Sequence, residues 1–430
     1  MTLGRKDFLK SLGAAALGVS TASVGRSQPA ASAASELKLP PFDAKRPGAY
    51  WQRVRALFGR RDDFVYLNCG GLGPASRPVL AKYQQVTSEL EVKVDTGHGL
   101  LDPARKVAAE FFGAGDDEVC FVRNTSEGNS IIACGLDLKA GDEVIFESHA
   151  HPGGSLPWLN RAHWQGIVVR TFVPDPTSAE GNLERIAALI GPRTKVIQVS
   201  HVTAPTGIVM PVKAIAKLAR EKGCWFHVDG AQSGGMLLFS LRDIGCDSYA
   251  TSGHKWLGAP RETGLLYIRR DRIAEVAPSH VGAYTSEEFD FSGKLTYVEG
   301  VKRHEYATRN AALVQGVAEA MRFQNAIGRQ RISEYGASLA QRVHRGLEKI
   351  PRVTVLTPSR PGLRGSMTTF VVEGTTAGEV FGYLLKQDQL RCRPVTEDGL
   401  QAVRVSTHVF NTADECDRVV AAVAAFVRTL

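Results

Sequence analysis

Short runs of β-branched and other apolar residues alternate with amphipathic stretches between about residues 100 and 270. Residues 195–202 (KVIQVSHV) form one such run. Residues 211–223 (PVKAIAKLAREKG) follow with apolar positions on one face, proline at the start and glycine at the end, which is a helix pattern. Residues 224–232 (CWFHVDGAQ) return to a strand pattern. This alternation is typical of βαβ units and predicts an α/β fold whose mostly parallel sheet is covered by helices.

Two more strands of this sheet are predicted at residues 142–148 (DEVIFES) and 262–270 (ETGLLYIRR). Beyond about residue 310, long alanine-rich helical stretches precede a second region with strand patterns. We expect this region to form a separate, smaller α+β domain. Its predicted strands lie at residues 352–359 (RVTVLTPS), 367–374 (MTTFVVEG) and 403–410 (VRVSTHVF).

The composition is that of an ordinary globular protein. The chain has 430 residues, of which 43% are hydrophobic and 22% are charged, so it can bury a large core and should form about two domains. Its formal net charge is +8, but lysine and arginine are scattered and no basic stripe is interleaved with aromatic residues. This distribution argues against nucleic-acid binding as a primary role.

The first 33 residues have the features of an export signal. A basic start is followed by a weakly apolar middle and a small-residue cleavage site at residues 31–33 (ASA). The apolar part is too short to span a bilayer, which needs about 20 apolar residues, so we expect no stable membrane insertion. Residues 5–10 (RKDFLK) resemble the core of a twin-arginine signal, with Lys6 in place of the second arginine. We expect a periplasmic or otherwise exported protein, or a cytoplasmic one if the signal is not read; a disordered tail is the alternative.

Metal binding is not predicted. The seven cysteines show no CxxC pair and no metal-ligand spacing, and most of them lie in apolar runs, as buried small side chains do. His149 and His151 could begin an H-x-H metal site, but no third ligand pattern follows them.

Chemically unusual residues follow several predicted strands, where open α/β sheets bind their ligands. A turn at residues 124–128 (NTSEG) leads into a helix, whose free N–H groups and dipole suit a phosphate. Asp229 ends an apolar strand. Lys255 follows another strand, after a serine and a histidine, and His149 and His151 follow a third.

Together these groups suit an aromatic cofactor that carries a phosphate, an aldehyde and a basic ring nitrogen. The Lys255 amine forms a Schiff base only when it is neutral, and burial lowers its pKa toward that form. A carboxylate such as Asp229 keeps the ring nitrogen protonated, so that the ring can withdraw electrons from the substrate. Ser126, Ser252 and His254 would supply phosphate donors, and a histidine ring would stack on the cofactor face.

These motifs resemble the class V group of pyridoxal-phosphate aminotransferase-fold enzymes, which includes cysteine desulfurases and isopenicillin N epimerase-like proteins. The central motif is FHVDGAQ (226–232), followed by SGHKWLG (252–258), with 26 positions from Asp229 to Lys255. The other motifs of this resemblance are YLNCGGLGPASRP (66–78), NTSEGN (124–129), AHPGGSLPW (150–158), SHVTAPTG (200–207), HEYATRN (304–310) and RVSTHVFNT (404–412).

The resemblance implies roles at the cofactor ring, and pyridoxal 5'-phosphate (PLP) as the cofactor. Lys255 resembles the Schiff-base lysine, which would also move the α-proton. Asp229 resembles the partner of the pyridine nitrogen, and Gln232 the donor to the ring hydroxyl. His151 falls where the family places its stacking ring, with His149 as the less favoured candidate.

The resemblance also implies how the phosphate is held. Ser126 and Glu127 hold the place of the phosphate turn, and Ser252 and His254 complete the cup. Thr308 resembles a residue that the second subunit lends to the phosphate, so the resemblance implies a homodimer with its sites at the interface.

Arg404 resembles the arginine that binds the substrate carboxylate with two parallel hydrogen bonds, and Asn68 is expected at the cavity mouth. Two departures distinguish this chain from desulfurases. Ala204 stands where they carry an asparagine, and their nucleophilic cysteine loop is missing. The nearest thiol, Cys392, precedes the expected place, so we expect it to pack against the sheet and we do not expect persulfide chemistry.

The resemblance implies fold type I, in which a large domain with a mostly parallel seven-stranded sheet joins a smaller α+β domain. The predicted boundaries are an N-terminal segment at 34–75 that packs on the small domain, a large PLP-binding domain at 76–305 and a small domain at 306–430. The implied activity is external aldimine formation with an amino acid or amine, then α-proton abstraction. Aminotransferase chemistry is favoured; an epimerase, a carbon–sulfur lyase and a non-catalytic PLP-binding sensor are the alternatives.

Overall fold

A seven-stranded sheet forms the centre of the protein, seen in a computed structural model that describes residues 39–59 and 63–430. The export signal predicted at residues 1–33 lies outside the described residues. The strands of the described residues are β1 (Val65–Tyr66), β2 (Val119–Val122), β3 (Glu143–Glu147), β4 (Val168–Phe172), β5 (Thr194–Ser200), β6 (Trp225–Asp229), β7 (Ser248–Ser252), β8 (Gly264–Ile268), β9 (Ser286–Phe289), β10 (Leu295–Tyr297), β11 (Val353–Val355), β12 (Met367–Val372), β13 (Leu390–Arg391), β14 (Arg393–Val395) and β15 (Ala402–Ser406).

Helices surround this sheet and cover a second, smaller one. Among the described helices, none combines the length and the apolar character that a membrane span requires. The α-helices of the described residues are α1 (Pro47–Arg55), α2 (Arg77–Lys93), α3 (Leu101–Phe112), α4 (Thr125–Gly135), α5 (Pro152–Gln165), α6 (Ala179–Leu189), α7 (Val212–Glu221), α8 (Leu241–Ile244), α9 (Ala311–Ile327), α10 (Arg329–Leu347), α11 (Ala377–Asp388) and α12 (Ala413–Val427).

The large sheet has the strand order β2-β8-β7-β6-β5-β3-β4 and is mostly parallel, which confirms the predicted α/β class. Only β8 runs antiparallel to both of its neighbours, β2 and β7. The connection from β7 to β8 is the short turn that carries Lys255, whereas a parallel neighbour would need a long crossover connection. Lys255 comes three residues after the last residue of β7, so it lies at the carboxyl end of that strand.

The sequence pattern of α7 explains how the helices cover the sheet. Val212, Ile215 and Ala219 are buried against the sheet, while Lys213 and Lys217 are exposed. Residues three and four apart share a helix face, so this spacing buries one apolar stripe and leaves the charges in water.

A second sheet is antiparallel, with the order β11-β12-β15-β14, and helices α10, α11 and α12 supply side chains to its apolar core. Strand β1 pairs with β13, and Asn68 forms an isolated bridge with Ser406 at the end of β15. These pairings bring the loop after β1 next to β15. The domain boundaries at residues 75 and 305 remain predictions.

Candidate active site

A cavity of about 300 Å³ lies where the carboxyl ends of β6 and β7 meet the N-terminus of α4. It brings together eight of the eleven residues that the sequence predicted for the site. They are Ser126, His151, Asp229, Gln232, Ser252, His254, Lys255 and Arg404. Polar groups from separate strands converge here because the carboxyl ends of parallel strands share one edge of a sheet.

Lys255 sits in a tight turn at residues 253–257 that follows β7 directly. Gly73 packs against this turn: its N–H donates to the carbonyl of His254 across 2.8 Å, and a Cβ at Gly73 would lie 1.8 Å from the Lys255 carbonyl oxygen. Only glycine allows so close an approach. Burial lowers the pKa of the Lys255 ammonium to about 8, although the negative charge of Asp229 raises it.

The carboxylate of Asp229 is 5% exposed and is fixed at both oxygens. Its Oδ1 accepts a hydrogen bond from the N–H of Ala231 (3.0 Å), and its Oδ2 accepts one from Nδ2 of Asn129 (2.8 Å). The Asn129 amide also donates to the carbonyl of Gly153. The sequence predicted Asp229 but missed Asn129 as its support, although Asn129 ends the NTSEGN motif.

Asn129 continues into a buried chain of hydrogen bonds. Since Nδ2 of Asn129 donates, its Oδ1 accepts from Nε2 of His227 (2.8 Å), which fixes the proton of the neutral ring on Nε2. Nδ1 of His227 then accepts from the Ser248 hydroxyl (2.8 Å), whose oxygen accepts from Nε1 of Trp225 (2.9 Å). Burial lowers the pKa of His227 to about 4, so the ring stays neutral. In each hydrogen bond of this series, the donor lies on the Trp225 side and the acceptor on the Asp229 side.

The side chain of Gln232 is held at both ends. Nε2 donates to the carbonyl of Gly70 (2.9 Å), and Oε1 accepts from Nε1 of Trp256 (2.8 Å). Because Trp256 fixes the oxygen, the amide nitrogen is the end of Gln232 that can donate to a ligand. Trp256 was not among the residues predicted for the site, and the structure gives it this positioning contact.

The N-terminus of α4 forms the other end of the cavity. The hydroxyl of Ser252 accepts from the N–H of Thr125 (3.1 Å) and shares a hydrogen bond with its hydroxyl (2.7 Å). Ser126 is exposed to the cavity, and Nδ1 of His254 is buried without a hydrogen-bond partner among the described residues. This arrangement places the Ser126 hydroxyl and the His254 ring where the sequence predicted a phosphate cup.

Glu127 does not line this cavity. Its carboxylate accepts from the N–H of Arg123 and pairs with the Arg123 guanidinium, while its own N–H donates to Oδ1 of Asn124, the N-cap of α4. The polar groups of Glu127 are thus engaged within the protein. Thr308 is exposed and lines a different cavity, of about 240 Å³, together with Arg123 and Arg309.

Arg404 is 1% exposed and lies on β15. Its Nη1 donates to the carbonyl of Ala204 (2.8 Å) and its Nη2 to Oδ1 of Asn68 (3.1 Å), while Nε is buried without a partner among the described residues. Burial, with the nearby charge of Arg393, lowers the pKa of Arg404 to about 9, so it remains charged at neutral pH. Asn68 is therefore a support of Arg404 and does not itself line the cavity.

A second arginine, Arg393, lines the same cavity and was not predicted from the sequence. Its Nη2 pairs with the carboxylate of Glu397, and its Nη1 is buried without a partner among the described residues. Its only sequence signal is its place next to Cys392 in the run LRCRPVTEDG (390–399).

The two histidines after β3 differ in their surroundings. His151 lines the cavity and N-caps α5, where its Nδ1 accepts from the N–H of Gly153 (3.0 Å). Burial and the charge of Lys255 lower the pKa of its ring. His149 does not line the cavity; its Nδ1 bonds to Thr206 (3.0 Å) and its Nε2 lies 3.8 Å from Asp398. Among the described residues, no cluster of three side chains could hold a metal ion.

None of the cysteines in the described residues lines the cavity. Cys392 is buried in the apolar core of the small sheet, as expected from the sequence, and burial raises its pKa to about 12. Cys69 is also fully buried, and its Sγ lies 3.9 Å from the carbonyl oxygen of Lys255. Burial raises the pKa of the Cys69 thiol too.

The chemistry of this donor set fits PLP. Three cationic side chains and one carboxylate line the cavity, so it suits an anionic ligand. The unpartnered Nδ1 of His254 lies with the α4 N-terminus, and a fixed carboxylate and an amine of lowered pKa lie with it in the cavity. These are the groups needed for a phosphate, a pyridine nitrogen and an aldehyde.

The sequence matches the family model described as aminotransferase class V over residues 80–419. The chain belongs to the class V aminotransferase family. It is 32% identical over 395 residues to isopenicillin N epimerase of Amycolatopsis lactamdurans, a match that covers 86% of this chain and 96% of that protein. It is 27% identical over 412 residues to probable cysteine desulfurase 2 of Mycobacterium leprae, with 90% and 97% of the two chains covered.

Solved structures show the same fold. The apo cysteine desulfurase of Thermococcus onnurineus NA1 has a TM-score of 0.79 at 24% identity, covering 88% of this chain and 98% of that one. A lysine-to-alanine variant of C-DES, with glycine covalently linked to its PLP cofactor, has a TM-score of 0.78 at 25% identity and covers 86% and 98%. This class V protein is thus a PLP-dependent enzyme of fold type I.

Proposed function

We propose that this class V enzyme is an aminotransferase that acts on an α-amino acid. The observation that carries the proposal is that Lys255, Asp229 and Arg404 line one cavity. A base, a partner for the cofactor ring and a carboxylate-binding guanidinium are what α-proton chemistry on an amino acid requires.

Each of these side chains performs one task. PLP, when bound, supplies an electron sink for the pair of electrons left at the α-carbon. Arg404 binds the α-carboxylate through its guanidinium fork. Lys255 removes the α-proton as a general base, for which a pKa near the working pH is best, and its pKa of about 8 meets this need.

Asp229 holds a proton at the pyridine nitrogen. The buried hydrogen-bond chain from Asn129 to Trp225 supports the Asp229 carboxylate, because all its donors point toward Asp229. Gln232 donates its amide to the ring hydroxyl, and Trp256 keeps the amide in this orientation. These residues orient the cofactor and do not themselves transfer the substrate proton.

An epimerase or carbon–sulfur lyase is the second candidate, favoured by the 32% identity to isopenicillin N epimerase. Such enzymes share the first proton transfer and differ in the later steps of the reaction. Persulfide chemistry is not proposed, since no cysteine of the described residues lines the cavity and Cys392 is buried in the core of the small sheet.

The test is a panel of amino acids offered to purified holoenzyme with a keto-acid acceptor. The proposal expects a change in the visible absorbance of the cofactor and transfer of the amino group to the acceptor. Lys255→Ala should abolish transfer. Lys222→Ala, which changes an exposed lysine between α7 and β6, should leave transfer intact. Inversion of the α-carbon or release of a sulfur product without transfer would support the second candidate. Cofactor binding with no spectral response to any amino acid would support the sensor alternative instead.

We also propose a homodimer in which Thr308 serves the phosphate of the partner's site. Support comes from the placement of Thr308, which is exposed and outside the cavity of its own Lys255. Mixing Lys255→Ala protomers with Thr308→Asp protomers should restore activity, because hybrid dimers contain one intact site. No restoration, with hybrids shown to form, would contradict this arrangement.

Export by the twin-arginine route is the last part of the proposal, and it is supported by the sequence of residues 1–33. An enzyme that takes up its cofactor before transport suits a pathway that carries folded proteins.

A further inference from the structure

Arg393 and Arg404 are direct cross-strand partners in the antiparallel pair of β14 and β15. Both side chains line the cavity that contains Lys255. Like charges directly opposite each other on neighbouring strands destabilise a sheet, so this pair costs stability unless anions lie between or beside the two groups.

The protein itself supplies only one carboxylate to these two guanidinium groups among the residues that the structure describes. Glu397 accepts from Nη2 of Arg393 and from the N–H of Thr396 (3.1 Å). Arg404 bonds to a carbonyl and an amide oxygen but to no carboxylate of the described residues. The two arginines thus keep two buried atoms without partners in this part of the chain, Nη1 of Arg393 and Nε of Arg404.

Unpaired buried charged donors are costly, so they indicate that a ligand completes their hydrogen bonds. One amino-acid carboxylate satisfies one guanidinium fork. A second anionic group is needed to satisfy the other fork, and the cofactor phosphate does not meet this need because its donors lie at the N-terminus of α4.

We propose that Arg393 binds an acidic group on the side chain of the substrate, so that the enzyme selects dicarboxylic amino acids. This inference rests on the proposed function, in which Arg404 binds the α-carboxylate. Glu397 occupies one edge of the Arg393 fork, and its carboxylate repels the incoming acid; the free Nη1 receives the side-chain carboxylate.

The experiment compares acids with neutral amino acids of similar length in the holoenzyme. The substrates are aspartate, glutamate and 2-aminoadipate against asparagine, glutamine and norleucine, each assayed for kcat/KM and KM. We expect the best acid to exceed its neutral counterpart by about 10- to 100-fold in kcat/KM, the value of a charged hydrogen-bond pair. Arg393→Gln should bring this ratio close to one, because kcat/KM should fall much more for the acids than for the neutral substrates.

Three further variants separate specificity from folding. Arg391→Gln changes an exposed arginine two positions earlier and should leave the ratio unchanged. Arg393→Lys keeps the charge and should retain part of the preference. Glu397→Gln removes the competing carboxylate and should increase the preference, an effect that a merely structural role for Arg393 would not produce.

Three outcomes would overturn the inference. The first is a wild-type ratio near one, which needs no variant to interpret. The second is an equal loss for acidic and neutral substrates in Arg393→Gln, which would mean that both arginines bind the α-carboxylate. The third is an unchanged ratio in Glu397→Gln. If no amino acid of any kind is turned over, the proposed aminotransferase function is wrong. If neutral amino acids are turned over as well as acidic ones, only the preference for dicarboxylic substrates is wrong.

Discussion

Asn129 donates a hydrogen bond to the carboxylate of Asp229 across 2.8 Å, and the same amide accepts one from His227 across 2.8 Å. The amide therefore transmits the orientation of the neutral His227 ring to the carboxylate of Asp229. If the Asn129 amide turned over, both of these hydrogen bonds would be lost. A hydroxyl group can donate and accept through the same oxygen, so the amide fixes Asp229 more firmly than a hydroxyl would.

Loss of the Asn129 amide should weaken cofactor binding. Asn129→Leu leaves Oδ2 of Asp229 without its side-chain donor, and bonds to charged groups contribute about 1.5–3 kcal/mol. We expect the dissociation constant of PLP, measured by absorbance titration, to rise about 10- to 100-fold. Asn182→Leu is the matched control: Asn182 is equally buried, but its side chain bonds only to Asp175 and Ser178, so its loss should lower stability and spare PLP affinity. Equal effects of both variants would refute the role of Asn129.

Cofactor capture by the apoprotein should depend on the charge of Lys255. Only the neutral amine attacks the aldehyde, so the rate of capture should rise with pH around a midpoint near 8, the pKa of Lys255, well below that of an ordinary lysine. The negative charge of Asp229 raises this pKa, so Asp229→Asn should move the midpoint to lower pH. Stopped-flow absorbance measures the rate. A midpoint above about pH 10, the range of an ordinary lysine, would mean that the amine is not buried as described.

Glu147 should make the protein less stable as the pH rises. Burial raises the pKa of this carboxyl from 4.5 to about 7, and Oε2 has no partner among the described residues. The folded state therefore holds a proton that the unfolded state releases between these two pKa values, which lowers the free energy of unfolding by about 3 kcal/mol across that range. Glu147→Gln mimics the protonated acid and should avoid this loss.

Urea unfolding at two pH values, about 4 and about 8, checks this expectation on either side of the shifted pKa. At the lower pH the wild type and Glu147→Gln should be similarly stable, because both carry a neutral side chain. At the higher pH the variant should be the more stable protein. The matched change Glu221→Gln, at an exposed carboxyl at the end of α7, should have little effect at either pH. A variant that is less stable at the higher pH would contradict the burial of Glu147 as a neutral acid.

Export can be tested apart from the enzyme. A reporter fused to residues 1–40 should leave the cytoplasm of a bacterial host and should stay inside when the twin-arginine pathway is disabled. Arg5→Gln should also retain it, since the guanidinium is the group that the receptor reads. Lys6→Arg, which restores the usual pair, should increase export. Retention of the unmodified fusion in a normal host would refute the proposal.

The fold and the central site residues could be predicted from the sequence because both depend on local patterns. The strand at residues 195–202 is found as β5, and the helix at 211–223 as α7. Asp229 and Lys255 each end a strand or follow one directly, so the parallel sheet alone brings them to one edge.

The supports of the site were missed because they are long-range. Asn129 and Asp229 are 100 positions apart, and no periodic pattern in the sequence shows that the Asn129 amide will contact the Asp229 carboxylate. The pairing of Arg393 with Arg404 depends on the register of β14 and β15, which a single sequence does not reveal. The position of Glu127 was misleading for a related reason, since its motif places it in the phosphate turn while its side chain turns back to Arg123.

We expect the amine of Lys255 to hold PLP in the cavity that also contains Asp229 and Arg404. The visible absorbance spectrum of the purified protein, recorded before and after reduction with borohydride and followed by mass spectrometry of the peptides, decides this. We predict a visible band that reduction removes, with the added cofactor mass on Lys255, and no band in Lys255→Ala. A wild-type protein that binds no PLP, or one that carries the cofactor on another lysine, would contradict the claim.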